Sequence, residues 1–403
     1  MSERLENLFE LVTAGEWGSN QGTAGGMDTG VIRSANFTKD HKFNSKEIVI
    51  RSIEERKRQR KLLCHGDILI EKSGGSPDQP VGRVLYYDLE GEHTCSNFIS
   101  ILRPSRQADP KFLYYSLCNL YERGVVKNYQ QQTTGIINLQ LGEYLQESIF
   151  FPPLSEQKKI AEILSGIDRE IAGVSQFMKR KRLLRESLLR QMIPHPSSFR
   201  DGSLPKGWTL TTIEEVCSLI TYGFTNPMPT TERGVYMVTA KDVRDGKIDK
   251  TTARFTSVEA YETLLTDKSR PKQNDILVTK DGTLGRTAVV GEETICINQS
   301  VALLRPSDQQ NAQFLQLLLS SPQYQETMLE ESGGSAVKHI YITTLAKMQM
   351  AIPNSTEARE EVVDCFDALN RSIHLLARKH ECLTNLKKAL ASDLLSGRKR
   401  VSV

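Results

Sequence analysis

Two long stretches of the chain carry apolar residues at alternating steps of four and three, with charged residues between them. The first runs from about Ser155 to Met192 and the second from about Thr356 to Ser396. This spacing places the apolar side chains on one stripe of a helix and is typical of a coiled-coil seam. A charged helix about 60 Å long is not stable alone, so we expect the two helices to pair. The predicted seam residues are Leu164, Ile167, Ile171, Val174, Phe366, Leu369, Ile373 and Leu376.

Each long helix follows an apolar run that ends in proline, at Pro152–Pro153 and at Pro353. Proline cannot donate to a strand ladder, so each run is predicted to end as a strand, and Ser155 is expected to cap the first helix. Farther upstream, "GDILI" at 66–70 and "NDILV" at 274–278 are apolar runs bounded by turn formers, which indicates buried strands. A glycine-rich loop follows each of these strands, where a backbone can approach a ligand closely.

The chain repeats itself with a period of roughly 200 residues. "SNFISILRP" at Ser96 returns as "NQSVALLRP" at Asn298, and the Arg-Pro pair lies 202 positions farther on. "GDIL" and "NDIL" lie 208 positions apart, so one loop between Asp67 and Arg103 differs in length by six residues. A period this long indicates a duplicated domain rather than a solenoid.

Composition narrows the class of protein without identifying it. A chain of 403 residues with 38% hydrophobic and 25% charged residues predicts two or three soluble domains. No apolar run is long enough to span a membrane, and the polar start "MSERLENLFE" does not resemble a secretory signal. Seven scattered cysteines without a CxxC pair suggest free thiols and a cytoplasmic location.

Catalytic motifs are absent from the sequence. "FFPPLS" lacks the polar residue before the two prolines and the aromatic residue after them that an adenine methyltransferase needs. Neither a GxGxxG loop nor a GKS or GKT phosphate loop occurs, and the histidines form no HxxxH pair. Glu71 precedes Lys72, but the second copy has Thr279 in its place, which argues against a catalytic metal ligand. We therefore expect no catalytic and no metal-binding residue on this chain.

The combination of several motifs resembles the specificity (S) subunits of type I restriction–modification systems. These motifs are "PPLSEQKKIAEILSGID" opening a long mid-chain helix, the repeated GDIL and NDIL strands with their glycine loops, and "LLRESLLRQM" closing that helix. The resemblance implies an α+β fold with two similar mixed α/β target recognition domains separated by two long antiparallel coiled-coil helices. The implied domains are residues 1–152 and 196–352, and the implied helical segments are 153–195 and 353–403. The second junction departs from the pattern, because it reads "IPNSTEAREEV".

The resemblance also implies a function and a set of partners. The chain would be a non-catalytic cytoplasmic subunit that binds double-stranded DNA at a bipartite, asymmetric site. Its helices would dock two methyltransferase (M) subunits, and restriction (R) subunits would join them. No cofactor is expected on this chain, whereas S-adenosylmethionine, ATP and Mg are expected on the partner subunits. The alternative is the recognition portion of a split or fused type II-like restriction–methylation enzyme, although 403 residues leave little room for a fused catalytic domain.

Loops found in both copies are the best candidates for DNA contact, because the same position in a repeat is expected to face the same ligand. Phosphates are bound by lysine, arginine and backbone amides, and bases are read by polar side chains presented from loops. Trp17 and Asn20 lie in the early loop of the first copy. The predicted DNA-binding residues are Lys72, Ser73, Arg83, Thr133 and Thr134 in the first copy and Tyr222, Thr225, Lys280, Thr283, Arg286, Lys338 and His339 in the second.

Two basic runs remain open to more than one interpretation. "RSIEERKRQRK" at 51–61 holds six basic and two acidic residues, and "KRKRLLRESLLR" at 179–190 also holds six basic residues. Either run is consistent with a solvated helix face. The second lies at the far end of the first long helix, where partner docking is the other interpretation.

Overall fold

The computed structural model describes residues 2–38, 40–44, 48–75, 79–133, 136–198, 204–333 and 338–402. The chain divides into two compact units. Unit 1 comprises Met1–Ser175 and Arg378–Val403, and unit 2 comprises Gln176–Ala377. Each unit therefore contains one copy of the repeat, part of the first long helix and part of the second. Among the described residues, no helix combines the length and apolar character needed to cross a bilayer.

Unit 1 is a mixed α/β body followed by the first long helix. Its strands are β1 Ser2–Arg4, β2 Phe9–Ala14, β3 Gly26–Ile32, β4 Val49–Glu54, β5 Ile68–Glu71, β6 Ser73–Gly75, β7 Val84–Tyr86, β8 His93–Cys95, β9 Ile99–Pro104, β10 Gln130–Thr133, β11 Ile136–Leu139 and β12 Ser148–Phe150. Its helices are α1 Glu55–Lys61, α2 Pro110–Glu122, α3 Leu141–Tyr144 and the start of α4 Leu154–Met192.

The described residues of unit 1 form four small sheets. The central sheet has the order β2-β9-β5-β7 and is antiparallel throughout. A second sheet has the order β4-β3-β8, in which β3 and β8 are parallel. The hairpin of β10 and β11 adds to β6, and β1 pairs with β12.

Unit 2 repeats this plan with different accessory strands. Its strands are β13 Trp208–Thr212, β14 Cys217–Tyr222, β15 Val235–Val238, β16 Val243–Arg244, β17 Lys247–Ile248, β18 Arg254–Thr256, β19 Ile276–Thr279, β20 Thr287–Val289, β21 Ile295–Ile297, β22 Val301–Pro306 and β23 Gln349–Pro353. Its helices are α5 Ile213–Val216, α6 Val258–Leu264, α7 Ala312–Leu319, α8 Pro322–Glu330, α9 Ile342–Lys347 and the start of α10 Thr356–Leu394. The central sheet is β14-β22-β19-β20, and the second sheet is β18-β15-β21 with β15 and β21 parallel.

The predicted buried strands are the central strands β5 and β19, and both of their faces are covered. Ile68 and Ile70 pack in one apolar core with Phe112 of α2, whereas Leu69 between them packs in a separate core with Ile32. Ile276 and Val278 pack likewise on one side of β19, and Leu277 packs on the other. A strand buried on both faces has no reason to alternate apolar and polar residues, which explains the continuous apolar runs.

The repeated aspartate and arginine that reveal the duplication bind each other in both units. Arg103 on β9 donates to both carboxylate oxygens of Asp67 at 2.8 Å, and Arg305 on β22 binds Asp275 at 2.8 and 2.6 Å. The aspartate side chains are almost completely buried in both copies. The hydrogen bond to the carboxylate raises the pKa of each arginine. The repeated aspartate and arginine therefore form a structural ion pair that joins neighbouring strands of the central sheet.

The two long helices run antiparallel inside each unit. In unit 1, Asp168 of α4 binds Lys387 of α10 at 2.8 Å, and Glu156 binds Arg400 just beyond α10. In unit 2, Arg185 donates to Asn370 at 2.9 Å, and Leu189, farther along α4, shares a core with Phe366, earlier on α10. Residue numbers on α4 rise as those of their partners on α10 fall, which is the antiparallel arrangement implied by the resemblance.

The predicted seam residues are sheltered to different degrees. Leu164, Ile171, Val174 and Phe366 are buried, and Ile167, Leu369, Ile373 and Leu376 are half-buried. Their partners follow from the antiparallel register. Leu164 shares a core with Leu394 and Leu395, whereas Phe366 shares one with Leu189. The ends of the helices are thus built into the α/β bodies as well as into the helix pair.

The two helices begin differently, and the expected cap at Ser155 is wrong. Helix α4 begins one residue earlier, at Leu154, so Ser155 lies within its first turn. Nearby, the buried carboxylate of Glu156 accepts hydrogen bonds from Arg400 and from the backbone amide of Val401. In the second helix, Ser355 is the cap, because its hydroxyl accepts from the amide of Ala358 at 3.1 Å.

Candidate nucleic-acid interface

In each unit the candidate loops meet at one end of the central sheet, which we call the loop edge. In unit 1, β2 ends and β9 begins side by side, with Ala14 opposite Ser100, and β5 ends with Glu71 opposite Ile99. The loop edge of unit 1 consists of residues 15–20, 72–75, 96–98 and 136–138. In unit 2 the corresponding strand ends give a loop edge of residues 222–225, 280–286, 298–300 and 338–340. Antiparallel pairing thus brings together loops that lie far apart in the sequence.

A glycine fixes the early loop of each unit against the sheet. A Cβ atom on Gly15 would collide with the carbonyl oxygen of Cys95, and one on Gly223 would collide with that of Ile297. The amide of Gly15 donates to Ile99 at 3.0 Å, and the amide of Gly223 donates to Val301 at 3.3 Å. Only glycine permits this close approach of two backbones.

Beyond Gly15, the early loop of unit 1 presents an aromatic ring held by an arginine. The guanidinium of Arg51, on β4, lies over the Trp17 ring at 4.7 Å and donates to the side-chain oxygen of Asn20 at 2.9 Å. Trp17 and Asn20 are thereby placed together. Arg51 belongs to the basic run at 51–61, and nothing in that run indicates a partnership with the early loop.

Lys72 and Lys280 occupy the same backbone position in the two units. The amide of Lys72 donates to Phe98, and its carbonyl accepts from Leu139. The amide of Lys280 donates to Ser300, and its carbonyl accepts from Ile340. Both lysine side chains are half-buried at the loop edge. The repeat therefore presents two lysines from equivalent places on two similar sheets.

The remaining candidates of unit 1 are placed by the added hairpin. Ser73 donates to the side-chain oxygen of Asn138 on β11 at 2.6 Å, which joins β6 to the hairpin. Thr133 is the last residue of β10 and pairs with Ile136. Thr134 lies outside the described residues.

Arg83 is not available to DNA in this structure, which argues against its predicted role. Its side chain is buried, and it donates to both carboxylate oxygens of Glu71 at 2.9 and 2.8 Å and to the carbonyl of Phe37 at 2.9 Å. These contacts employ the guanidinium inside the α/β body. Glu71 is equally buried, and its carboxylate is neutralised by Arg83 rather than directed at a metal.

Unit 2 gathers three of its candidate loops into one polar cluster. Lys280 binds Asp281 at 2.7 Å, and His339 Nδ1 lies 2.5 Å from the other carboxylate oxygen. The ammonium of Lys280 also lies 5.5 Å from the centre of the Tyr222 ring. Burial raises the pKa of Asp281, but the hydrogen bonds from Lys280 and His339 outweigh it, so its pKa lies below the ordinary value. The early loop, the post-strand loop and the last loop thus meet around Lys280 and Asp281, and the sequence did not indicate the part of Asp281.

Four further candidates of unit 2 are exposed to solvent: Thr225, Thr283, Arg286 and Lys338. Arg286 holds the same backbone position as Arg83, because its carbonyl accepts from the amide of Thr279 at 2.8 Å as that of Arg83 accepts from Glu71 at 2.9 Å, but its side chain has other surroundings. Its guanidinium has a long 3.4 Å hydrogen bond to the carbonyl of Val243, while its backbone amide donates to Thr279 at 2.9 Å. An exposed arginine at a loop edge has the donor geometry that reads guanine.

One exposed aromatic residue at the loop edge of unit 1 was also missed. Phe98 is 51% exposed, although an apolar residue in the motif "SNFISILRP" reads as a core position. Its counterpart in the second copy is Ser300. That polar counterpart is the one signal in the sequence that the position faces outward.

Nothing in the described part of the chain resembles a metal centre. Residues 2–38, 40–44, 48–75, 79–133, 136–198, 204–333 and 338–402 contain no group of three or more His, Cys, Asp or Glu side chains able to hold a metal ion. The loop edges instead offer cations, amides, hydroxyls and aromatic rings, which are the groups that contact nucleic acids.

Comparisons with known proteins agree on one family. The family model described as "Type I restriction modification DNA specificity domain" matches residues 2–176 and 205–385. The type I restriction enzyme EcoBI specificity subunit of Escherichia coli is 27% identical over 244 residues, which are 54% of this chain and 51% of that relative. The chain thus matches about half the length of that relative. The type I restriction enzyme MjaVIII specificity subunit of Methanocaldococcus jannaschii is 22% identical over 76% of this chain and 74% of its own.

Two solved structures share the fold. A chain from work on complex assembly and conformational transition of the type I R-M system has a TM-score of 0.62 at 17% identity, covering 99% of this chain and 98% of its own. The type I restriction-modification S subunit from M. genitalium has a TM-score of 0.60 at 15% identity, covering 98% and 96%. With two matched domains on a shared scaffold, the chain belongs to the family of type I restriction–modification specificity subunits.

Proposed function

We propose that this chain reads a bipartite, asymmetric DNA sequence, with one half-site bound at the loop edge of each unit. The observation that carries the proposal is the repeated scaffold with different side chains on it. Lys72 and Lys280 have the same backbone contacts, whereas their neighbours in the chain are Glu71 and Ser73 in unit 1 and Thr279 and Asp281 in unit 2. Equivalent scaffolds would face equivalent DNA surfaces, and different loops would prefer different bases.

Each loop edge has its own means of reading bases. Unit 1 offers the Trp17–Arg51–Asn20 group, the Ser73–Asn138 pair and the exposed ring of Phe98. Unit 2 offers the Asp281–His339 pair and the exposed Arg286. Arginine bound to guanine and apolar contact with the methyl group of thymine are established forms of base readout. Two unlike half-sites, and hence an asymmetric sequence, are the expected result.

Methyl transfer and cleavage are assigned to other chains in this proposal. Methyltransferase subunits would carry S-adenosylmethionine, and restriction subunits would act with ATP and Mg. The helix pair of unit 2 has a surface suited to such a partner, because Phe177, Leu183 and Leu184 of α4 and Leu375 of α10 are each at least half exposed. Phe177 and Leu184 are seven positions apart and so lie on the same face of α4, and apolar residues exposed together on one face are typical of an interaction site.

The docking surface has a direct test with a matched control. Replacement of Phe177 and Leu184 by serine should abolish co-purification of the methyltransferase subunit. Replacement of Val258 and Leu264, which are equally exposed on α6 of the same unit, should leave it intact. Retention of the partner by both variants would contradict docking on the helices. A fused-enzyme reading predicts instead that the isolated chain binds S-adenosylmethionine.

The reading function is tested by exchanging one unit's α/β body. Residues 205–352 would be replaced by the same region of a related subunit, and the complex would be expressed with its methyltransferase. Sequencing of methylated host DNA should show that one half of the recognised sequence changes and the other half persists. A simultaneous change in both halves would contradict independent reading by the two units.

A further inference from the structure

Helix α1 of unit 1 is a short basic helix that lies outside the loop edge. Its sequence is ERKRQRK, and it follows β4 directly. Three of its basic residues, Arg56, Lys57 and Arg60, are exposed to solvent. Positions 56, 57 and 60 lie within about 100° of one another around a helix, so these charges form one face. We call this face the basic face of α1.

The other two basic residues of α1 hold the helix in place. Arg58 is buried, donates to the Thr29 hydroxyl at 3.2 Å and pairs with Glu92. Lys61 binds the Glu16 carboxylate at 2.8 Å and the carbonyl of Gly15 at 3.1 Å. The basic face therefore belongs to an anchored helix rather than to a loose segment.

These contacts connect α1 to the loop edge of unit 1. Gly15 and Glu16 lead directly into Trp17, and Arg51 on the preceding strand holds the Trp17 ring. Ser19 also pairs with Ser52 of β4 through two backbone hydrogen bonds of 2.8 and 3.2 Å. The helix that carries the basic face is thus bonded at its far end to the loop that carries Trp17 and Asn20.

Little in the surrounding protein neutralises the basic face. Neither Arg56 nor Arg60 has an acidic partner among the residues that the structure describes. Lys57 lies 3.7 Å from Glu54, with both side chains more than half exposed, and such a pair contributes little. Two or three positive charges are therefore free to bind an anion next to the loop edge.

Unit 2 has no basic counterpart at this place in the fold. Helix α6 follows β18 as α1 follows β4, but its sequence is VEAYETL, with two acidic residues and no basic one. Glu259 and Glu262 are both exposed. A basic face required for folding would be expected in both copies, so its presence in one copy points to a ligand of unit 1.

We infer that the basic face of α1 binds the DNA phosphate backbone beside the half-site of unit 1 and anchors that unit electrostatically. This inference rests on the proposed reading function and gives it an asymmetry. Unit 1 would contribute more of the salt-dependent affinity, and unit 2 would depend more on its contacts to bases. Phosphate contacts orient a protein on DNA without specifying sequence.

The test compares two variants that each lose two positive charges from unit 1. Arg56→Gln/Arg60→Gln removes charge from the basic face, and Arg106→Gln/Lys111→Gln removes it from the opposite end of the central sheet. Each is assembled with the methyltransferase subunits, and binding to a duplex is measured against salt concentration. For the first variant the slope of log K against log salt should become shallower by about two, because each phosphate contact contributes about 0.9. Affinity at about 0.15 M salt should fall about 30-fold, and the second variant should match the wild type.

The remaining outcomes separate the inference from the reading proposal. Arg56→Lys/Arg60→Lys keeps the charge and should keep the slope, and the methylated sequence should be the same in all variants. An unchanged slope in the folded Gln variant would overturn the inference, as would loss of the methyltransferase subunit, which would make the basic face a protein-docking surface. A wild-type complex that binds all duplexes equally would instead contradict the reading proposal, while a slope difference would still support the phosphate contact.

Discussion

The two units have the same central sheet, but the residues at the ends of β5 and β19, beneath the loops, make different contacts. Where β5 of unit 1 ends, a buried Glu71 faces a buried Arg83. Where β19 of unit 2 ends, the hydroxyl of Thr279 accepts a hydrogen bond from the backbone amide of Arg286 and donates one to the carbonyl of Thr283. The side chain of Arg286 is exposed. With Glu71 before it the arginine of unit 1 is buried in the α/β body, whereas with Thr279 before it the arginine of unit 2 is exposed at the loop edge. The repeat preserves the position of the arginine without preserving its use.

The loop edges differ in the same way. Unit 1 is completed by pairing of the β10–β11 hairpin with β6, whereas unit 2 has an isolated antiparallel bridge between Asp281 and His339, reinforced by side-chain hydrogen bonds from Lys280 and His339 to Asp281. Beneath both edges the strand order and the Asp–Arg pair are unchanged. The sheet and its buried ion pair therefore fix where the loops begin and end, and the residues within the loops differ between the units.

The largest expected effect comes from breaking the buried pair of unit 1. Glu71→Ala leaves Arg83 charged, buried and uncompensated, so unit 1 should lose about 3–5 kcal/mol of unfolding free energy. Trp17 in unit 1 and Trp208 in unit 2 are the two tryptophans of the chain, and single-tryptophan variants report each unit separately in urea titrations.

Thr279→Ala is the matched change in unit 2 and should cost only about 1 kcal/mol. Replacing both Glu71 and Arg83 by apolar residues of similar volume should restore most of the stability. A Glu71→Ala protein as stable as the Thr279→Ala protein would show that the ion pair does not support unit 1.

The next largest effect is expected from mild acid, which should lower the unfolding free energy of unit 1 through His41. His41 is buried in unit 1, where its Nδ1 accepts from the amide of Val84 at 3.2 Å, and burial lowers its pKa from 6.5 to about 4. Between these values the unfolded chain binds a proton that the native histidine does not, so stability falls as pH falls from 6.5 towards 4. Unit 1 should lose about 2–3 kcal/mol between pH 7.5 and 4.5 from this group.

His41→Leu removes the titrating group, so the pH dependence reported by Trp17 should flatten by that amount. The dependence reported by Trp208 should be unaffected by the substitution. Equal pH profiles for the wild type and His41→Leu would contradict the assignment.

Arg286→Ala should have a more local effect, on DNA reading alone. The side chain is exposed, so stability should change little, whereas loss of a base contact should cost about 1–3 kcal/mol and relax one position of the half-site of unit 2. Methylome sequencing of a host expressing the variant complex measures the relaxation. Relaxation in the half-site of unit 1 would contradict the assignment of Arg286.

The smallest effect is expected from the paired lysines. Lys72→Ala and Lys280→Ala should each weaken binding to all sequences alike and flatten the salt slope by about one, because a phosphate contact carries no sequence information. Binding titrations against salt give this value for each. A change of base preference with either variant would show that the lysine reads a base.

Much of the scaffold was predictable, because the spacing of apolar residues and the repeated motifs indicate which positions are buried. The runs at 66–70 and 274–278 predict strands, and β5 and β19 are found there. The seam of Leu164 and Ile171 predicts a paired helix, and these residues are buried. Both predictions depend only on local spacing and on the apolar character of single positions, which a sequence shows directly.

The candidate site was harder to predict, because a polar side chain has several partners available to it. Arg83 follows a glycine-rich loop and looks exposed in the sequence, but its role depends on Glu71, twelve residues earlier on the neighbouring strand β5. Asp281 reads as one more loop residue until the fold brings His339 against it. Helix register depends likewise on contacts such as Asp168 with Lys387, which no pattern within one helix specifies.

The apolar core of unit 1 contains Leu5 and Leu8 together with Leu394 and Leu395, and Arg400 binds Glu156 nearby. About two hundred residues that belong to unit 2 separate these two parts of the chain. On the ribosome, at about 5–20 residues per second, the last part would follow the first by roughly 10–40 s. Part of the core of unit 1 would therefore stay uncovered while unit 2 is synthesised. Chaperone binding to the nascent chain should accordingly concentrate on unit 1 and end when residues 390–401 emerge.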